Sequence, residues 1–166
     1  MNWEKYVDAD VELTVSEHDL EVMGGALLEA EVAANEGEIP VGALILGPAG
    51  NVIATGRNSR VLEKDPTAHA EVNAIREAAR MLGDRVLDGC TLVVTLEPCV
   101  MCAGVILAAR VPRVVFGAWD DKAGAVGSVY DLLRDGRLPH AVPEVVGGVR
   151  ADECAALLER FFRARR

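Results

Sequence analysis

Residues 91–116 constrain the possible folds of this chain more than any other segment. A continuous apolar run at residues 91–96 predicts a buried strand, and the small apolar residues at 100–109 predict a helix that is buried on most sides. Residues 114–116 then predict a second strand. Because a helix that connects two strands of one sheet joins them in parallel, this segment predicts a sheet with parallel pairs.

The flanking segments add a hairpin and three further helices. Ser16, followed by Asp19, predicts the start of a first helix, and further helices are predicted at 67–82 and from 152 to about 163. Residues 41–46 and 52–54, separated by a Gly-Pro-Ala-Gly turn, predict an antiparallel hairpin, and residues 145–146 predict a weak strand. We therefore expect an α/β fold with a mixed sheet of about five strands and helices on both faces.

Length and composition exclude several classes of protein. A chain of 166 residues favours one domain, and a hydrophobic content of 51% argues against disorder. No apolar run approaches the roughly 18 residues of a membrane span. The acidic N-terminus has no apolar core of a signal peptide, so we expect a soluble, cytoplasmic protein. Residues 1–15 are expected to form a loosely ordered acidic lead-in, and residues 16–166 a single domain.

The formal net charge of −9 is unevenly distributed along the chain. Residues 1–38 contain eleven acidic residues and one basic residue, whereas the remaining 128 residues contain 15 acidic and 16 basic ones. The last seven residues contain four arginines and no acid. The total argues against a nucleic-acid partner, but its distribution leaves a basic C-terminal tail that could contact phosphate.

Metal-ligand residues occur in two clusters, each at the predicted start of a helix. His69 and Glu71 open one helix, and Cys99 and Cys102 open the helix that follows the strand at 91–96. The two cysteines are three residues apart and so share one face of a helical turn. Helix N-termini at the carboxyl ends of strands are the places where α/β sheets bind ligands.

This donor set predicts a catalytic zinc site. One imidazole and two thiolates are three zinc ligands, which leaves a fourth position for water. Glu71 is not needed for coordination and is placed to take a proton from that water.

Other interpretations of these residues stay open at this point. The two cysteines could be a redox pair, or the zinc could be structural with a fourth ligand from Cys90, Cys154, His18 or His140. Neither Cys90 nor Cys154 has paired spacing, and both fit a buried core better. Gly124 and Gly127 could suggest a phosphate cradle, although a turn explains them more simply.

The motifs resemble those of a known family. His-Ala-Glu followed by Pro-Cys-x-x-Cys, with 29 residues between His69 and Cys99, resembles the zinc deaminases of the cytidine deaminase superfamily. Longer stretches resemble the bacterial tRNA-specific adenosine deaminases from about residue 18 to the end: GEIPVGA at 37–43, DPTAHAE at 65–71, TLEPCVMCAG at 95–104, RVVFGA at 113–118 and ECAALLERFFRARR at 153–166.

The resemblance implies a fold, a reaction and a role for each site residue. It implies a three-layer α/β/α cytidine deaminase-like domain that deaminates the wobble adenosine of an arginine tRNA to inosine and releases ammonia. His69, Cys99 and Cys102 would bind one Zn²⁺ per subunit, and Glu71 would move protons. Asn58 would hydrogen-bond the flipped base, and Asp120 would lie near the RNA backbone. Family members are homodimers, so a homodimer is expected.

Two other functions remain open from the sequence. The same metal chemistry could act on a free base or nucleotide, such as guanine or cytosine, because pocket shape decides the substrate. The chain could also be a non-catalytic zinc-binding RNA module, but folding and zinc binding alone do not require the carboxylate of Glu71.

Overall fold

A computed structural model describes residues 15–165 as one five-stranded sheet with four helices. The elements in chain order are α1 Glu17–Asn35, β1 Gly42–Leu46, β2 Val52–Arg57, α2 Ala70–Leu82, β3 Thr91–Leu96, α3 Val100–Ala108, β4 Arg113–Ala118, β5 Glu144–Val146 and α4 Ala151–Arg163. Apart from Val15, the expected lead-in lies outside the described residues, so the domain boundary at residue 16 stays a prediction.

The sheet is mixed, with strand order β2-β1-β3-β4-β5. The hairpin strands β1 and β2 are antiparallel, and β1 also pairs antiparallel with β3. The pairs β3–β4 and β4–β5 are parallel, which confirms the parallel connection predicted from residues 91–116. The cytidine deaminase-like α/β architecture expected from the sequence is therefore the one observed.

Helices cover both faces of the sheet, and each face has its own hydrophobic core. Residues of α2 and α3 pack on one face in a cluster that includes Ile75, Ile106 and Phe116. Residues of α1 and α4 pack on the other face, around Met23 and Cys154. The result is the three-layer arrangement.

Glycines allow the helices to approach the strands closely. A Cβ atom on Gly42 in β1 would lie 2.1 Å from the Ala26 carbonyl oxygen of α1. A Cβ atom on Gly56 in β2 would lie 2.4 Å from the Ala70 carbonyl oxygen of α2. Side chains at either position would push a helix away from the sheet, and at Gly56 the displaced helix would be the one that begins after His69.

Two element boundaries differ from the sequence prediction by three residues, and several others differ by one or two. The helix expected at 67–82 begins at Ala70, because Asp65 instead accepts hydrogen bonds from the Thr67 backbone and hydroxyl and closes a turn. Strand β2 continues to Arg57, three residues beyond the predicted end, and so brings the chain to Asn58. Within the described residues, no helix is both long enough and apolar enough to span a bilayer.

Candidate active site

The three predicted metal donors meet where two helices begin. His69 is the N-cap residue of α2, Cys99 is the N-cap residue of α3, and Cys102 lies in the first turn of α3. Cys99 follows the carboxyl end of β3 by three residues, so the strand fixes the position of the whole α3 start. The structure therefore brings together residues that are about 30 positions apart in the chain.

The spacing of these donors suits a tetrahedral zinc ion. The Nδ1 atom of His69 lies 3.7 Å from the Cys99 sulfur and 3.5 Å from the Cys102 sulfur. With zinc–sulfur and zinc–nitrogen bonds of about 2.3 and 2.05 Å, a tetrahedral ion sets its nitrogen and sulfur ligands about 3.6 Å apart. All three donor atoms lie within 4.8 Å of one another, so this donor set fits the binding of one ion.

Local electrostatics favours an ionised thiolate at Cys99. Hydrogen bonding from the Cys102 thiol, assisted by His69, lowers the pKa of Cys99 to about 3 although burial opposes this shift. The N-terminus of α3 adds a favourable dipole and free N–H groups at the same place. A thiolate is the form in which cysteine binds a metal.

Glu71 lies in the first turn of α2, two residues after His69, and is buried. Desolvation is the largest effect on it and raises the pKa of its carboxyl to about 7, against a backbone hydrogen bond and the charge of His69, which lower it. Its side chain also lines the cavity beside the donors. The carboxyl therefore lies in a poorly hydrated position next to the metal ligands.

A cavity of about 160 Å³ opens at these donors. One water needs about 10–15 Å³ by the same measure, so the cavity has room for a ligand much larger than water. Both apolar and polar side chains form its wall. The lining residues are Ile39, Val41, Asn58, Arg60, His69, Ala70, Glu71, Leu96, Glu97, Cys99, Asp120 and Ala123.

Asn58 and Asp120, both predicted to bind substrate, line this cavity. The buried Asn58 amide donates to the Ile39 carbonyl and accepts from the Arg60 backbone, which leaves one donor and one acceptor position for a ligand. The Asp120 carboxylate accepts from the backbone of Lys122 and Ala123 and so also closes a turn. The structure thus gives Asp120 a turn role and a place at the cavity wall.

The other candidate ligands lie away from the donor group. In residues 15–165 the only cluster that could hold a metal is His69 with Cys99 and Cys102. Cys90 and Cys154 are buried in opposite cores, as expected for small core residues. His18 and His140 are exposed. A closed structural zinc with a fourth ligand from these four residues has no support in this arrangement.

Three further residues near the cavity have no role assigned by sequence reasoning. Arg60 lines the cavity entrance as an exposed cation. Glu38 is buried and accepts hydrogen bonds from the backbone of Val61 and Leu62. Glu97 is buried and binds the backbone near Gly124 and Gly127, the residues considered as a phosphate cradle. For Glu97, an acid directly after an apolar strand was the available signal, whereas Glu38 lies four residues before β1 and had no such signal.

Comparison with known proteins connects this geometry to a family. Residues 16–118 match the family model for the cytidine and deoxycytidylate deaminase zinc-binding region. The chain is 47% identical to the tRNA-specific adenosine deaminase of Haemophilus influenzae over 151 residues, which cover 91% of this chain and 87% of that protein.

A second relative is much longer than this chain. The chain is 52% identical over 141 residues to a tRNA(Ile)-lysidine synthase of Deinococcus deserti. The match covers 85% of this chain but only 26% of that protein, so this chain spans about a quarter of its length.

A solved structure shares the fold. It comes from a study of A-to-I editing by tRNA:A34 deaminases at the wobble position of transfer RNA, with a TM-score of 0.79 and 42% identity. The match covers 82% of this chain and 98% of that one. On the combined match of sequence and structure, this chain belongs to the zinc-binding cytidine and deoxycytidylate deaminase family.

Proposed function

We propose that this chain hydrolytically deaminates adenosine to inosine at the wobble position of an arginine tRNA and releases ammonia. The observation that carries the proposal is the placement of His69, Cys99, Cys102 and Glu71 around one cavity. A three-ligand zinc site with a carboxylate beside it is the arrangement of a hydrolytic deaminase. The choice of tRNA adenosine rests on the similarity to the Haemophilus influenzae protein.

The proposed chemistry divides between a metal and one carboxyl. His69, Cys99 and Cys102 would hold one Zn²⁺ per subunit, which when bound lowers the pKa of a coordinated water and makes it a nucleophile. Glu71 would accept a first proton from the water and pass it to N1 of adenine, and would then pass the remaining proton of the new C6 hydroxyl to the departing amine. Oxygen replaces nitrogen at C6, and water and adenosine become inosine and ammonia.

Asn58 and Asp120 are proposed to hold the substrate. The free donor and acceptor positions of the Asn58 amide can pair with the edge of the reacting base. Asp120 would lie near the RNA backbone at the cavity wall. A homodimer and a cytoplasmic location, where tRNA is found, complete the proposal.

The test is deamination of defined substrates by the purified chain. We expect ammonia and inosine from an arginine tRNA anticodon stem-loop that carries the wobble adenosine, and none from a stem-loop with guanosine at that position. Free guanine and cytidine serve as competing substrates. Activity confined to the free base or nucleoside would contradict the tRNA assignment while retaining the deaminase chemistry.

Mapping inosine after incubation with total tRNA would extend this test. We expect inosine at the wobble position of arginine tRNA alone. Zinc binding without release of ammonia from any of these substrates would instead support a non-catalytic RNA-binding module.

A further inference from the structure

One loop next to the donors, residues 119–128, is held by a single buried carboxylate. Glu97 is 2% exposed and accepts hydrogen bonds from the backbone N–H groups of Asp120, Val126 and Ser128, at 2.9, 3.0 and 2.9 Å. The Ser128 hydroxyl donates a fourth hydrogen bond to the same carboxylate. Four donors from one loop therefore converge on one side chain.

These hydrogen bonds use the whole accepting capacity of the carboxylate. A carboxylate offers about four lone-pair positions, and the loop supplies four donors. Within the described part of the chain Glu97 forms no ion pair, so the loop alone compensates its buried charge. Although Glu97 lines the cavity, its oxygens are already engaged and are poorly suited to bind substrate or carry protons.

The loop is also joined to the segment that bears Cys99. The backbone of Ala125 donates to the Pro98 carbonyl, and Gly124 forms a bridge with Cys99. A Cβ atom on Gly124 would lie 2.2 Å from a Glu97 carboxylate oxygen, so the loop packs against the carboxylate with no side chain between them. The position of the loop is thereby set relative to the metal donors.

We propose that Glu97 is a positioning residue that fixes this loop as one wall of the substrate cavity. Through the loop it holds Asp120 and Ala123 at the cavity before substrate binds. A preformed wall lowers the ordering cost of binding, so Glu97 acts on substrate affinity through these two residues. This inference rests on the proposed function, because it assumes that the cavity receives the reacting nucleotide.

Glu97→Gln is the direct test. The amide keeps the shape of the side chain but replaces one accepting oxygen by an NH₂ group, which faces donors of the loop and cannot pair with them. We expect hydrogen exchange of the amides in residues 119–128 to accelerate about tenfold or more, because these amides lose acceptors. We expect unchanged zinc content and a kcat/KM for the stem-loop about 10- to 100-fold lower, mainly through KM.

Two further variants make the result specific to the loop. Ser128→Ala removes one of the four donors and should shift exchange and KM in the same direction by a smaller factor. Asp19→Asn alters a carboxylate that is equally buried but pairs with Arg113 at the start of β4, away from the cavity. It should lower stability while loop exchange and KM stay at wild-type values.

The outcomes separate this inference from the proposed function. Unchanged loop exchange in Glu97→Gln, or a loss of activity that matches a loss of zinc, would overturn the positioning role. An unchanged KM in Glu97→Gln, with active wild-type protein, would overturn it as well. If the wild-type chain fails to deaminate any stem-loop, the proposed function fails instead, and the exchange of residues 119–128 decides whether Glu97 holds the loop.

Discussion

At the scale of a single residue, substitution of Glu71 distinguishes a role in catalysis from a role in metal binding. In Glu71→Gln the buried side chain keeps its size but can no longer take or deliver a proton. We expect wild-type zinc content, measured by atomic emission on purified protein. We expect deamination of the anticodon stem-loop to fall by a factor of about 10²–10⁴, the usual range for loss of a general acid–base.

A second glutamate on the same helix provides the control. Glu77 lies on the outer part of α2 and pairs with Arg80 at the surface. Glu77→Gln removes the same charge from the same helix and should leave both zinc content and rate unchanged. If Glu71→Gln kept its activity, the assigned proton transfer would be wrong. If the Glu71→Gln protein lost zinc, Glu71 would be a metal ligand or a structural residue rather than a proton carrier alone.

The sequence predicted the donors because their chemistry is rare and their spacing is local. Cys99 and Cys102 share one helical turn, and His69 opens another predicted helix, so both clusters were expected at helix N-termini on one edge of the sheet. The role of Glu97 could not be predicted in this way. Its partners lie 23 to 31 residues further along the chain, and they are backbone groups that no residue type marks.

At the scale of elements, the start of α1 is defined by a capping box that also reaches the sheet. Ser16 and Asp19 exchange hydrogen bonds between side chain and backbone, and α1 begins where the sequence predicted a helix start. Both carboxylate oxygens of Asp19 additionally accept from the Arg113 guanidinium, at 2.8 and 2.9 Å. This bidentate pair connects the first turn of α1 to the start of β4.

The Asp19–Arg113 pair should make stability depend on pH. Burial tends to raise the pKa of Asp19, but hydrogen bonds from Arg113 and Ser16 outweigh it, and the pKa falls below the ordinary value of 3.8. A depressed pKa in the folded state contributes stability that is present above pH 3.8 and is lost as pH falls through the folded value. Asp19→Asn should therefore lower the free energy of unfolding by about 1–3 kcal/mol at pH 7.

Urea unfolding of the two proteins from pH 7 to pH 2.5 measures this contribution. The difference between wild type and Asp19→Asn should shrink below the ordinary pKa of the carboxyl. Glu21→Gln, at an exposed position of the same helix, is the matched control and should change the free energy of unfolding by less than about 0.5 kcal/mol. A difference that stays constant over this pH range would refute the linkage to Asp19.

Sequence patterns predict the presence of helices better than they predict the residues at which the helices begin. Periodicity located α2 but placed its start within the Asp65–Thr67 turn, because residues that cap helices and residues that close turns are the same types. The adjacent glycines 24 and 25 are poor helix formers, yet α1 is continuous through them. At Gly25 a Cβ atom would lie 2.9 Å from the Leu44 side chain, so close packing on the sheet explains a residue that propensity disfavours.

At the scale of the whole molecule, the order of the strands in the sheet could not be predicted from local sequence patterns. The sequence predicted a hairpin and one parallel connection, both of which are present. It did not predict that β1 would lie between β2 and β3, a pairing that joins residues about 45 to 50 positions apart. That pairing brings Asn58, which follows β2, to the same cavity as Cys99, which follows β3.

The folded molecule shows where the basic C-terminal residues lie relative to the cavity. Arg165, near the C-terminus, stacks on Phe161 and donates to the Gly37 carbonyl, so the basic tail lies against the chain that leads into β1. Phe161 and Arg165 line a groove together with Asn58 and Arg60, two residues that also line the cavity at the metal donors. The tail is therefore adjacent to the cavity.

This placement leads to a prediction about salt. Arg163 is exposed beside that tail, lines a surface groove with Lys122 and Arg165, and forms no ion pair within residues 15–165. Each phosphate contact on a single-stranded loop contributes about 0.7 to the slope of log Kd against log salt concentration. Arg163→Ala should weaken binding of the anticodon stem-loop and lower that slope by about 0.7, measured by fluorescence anisotropy between 50 and 300 mM KCl.

Arg85→Ala is the control. It makes the same change of charge at an exposed site just after the C-terminal end of α2, whereas the cavity lies at the N-terminal end of that helix. If global net charge governed RNA binding, both substitutions would alter affinity and slope alike, because each makes the chain more acidic by one unit. If local phosphate contact governs it, only Arg163→Ala changes the slope. Equal slopes for the two variants would show that Arg163 does not contact phosphate, and Arg60, an exposed cation that lines the cavity, would then be the next candidate for such a contact.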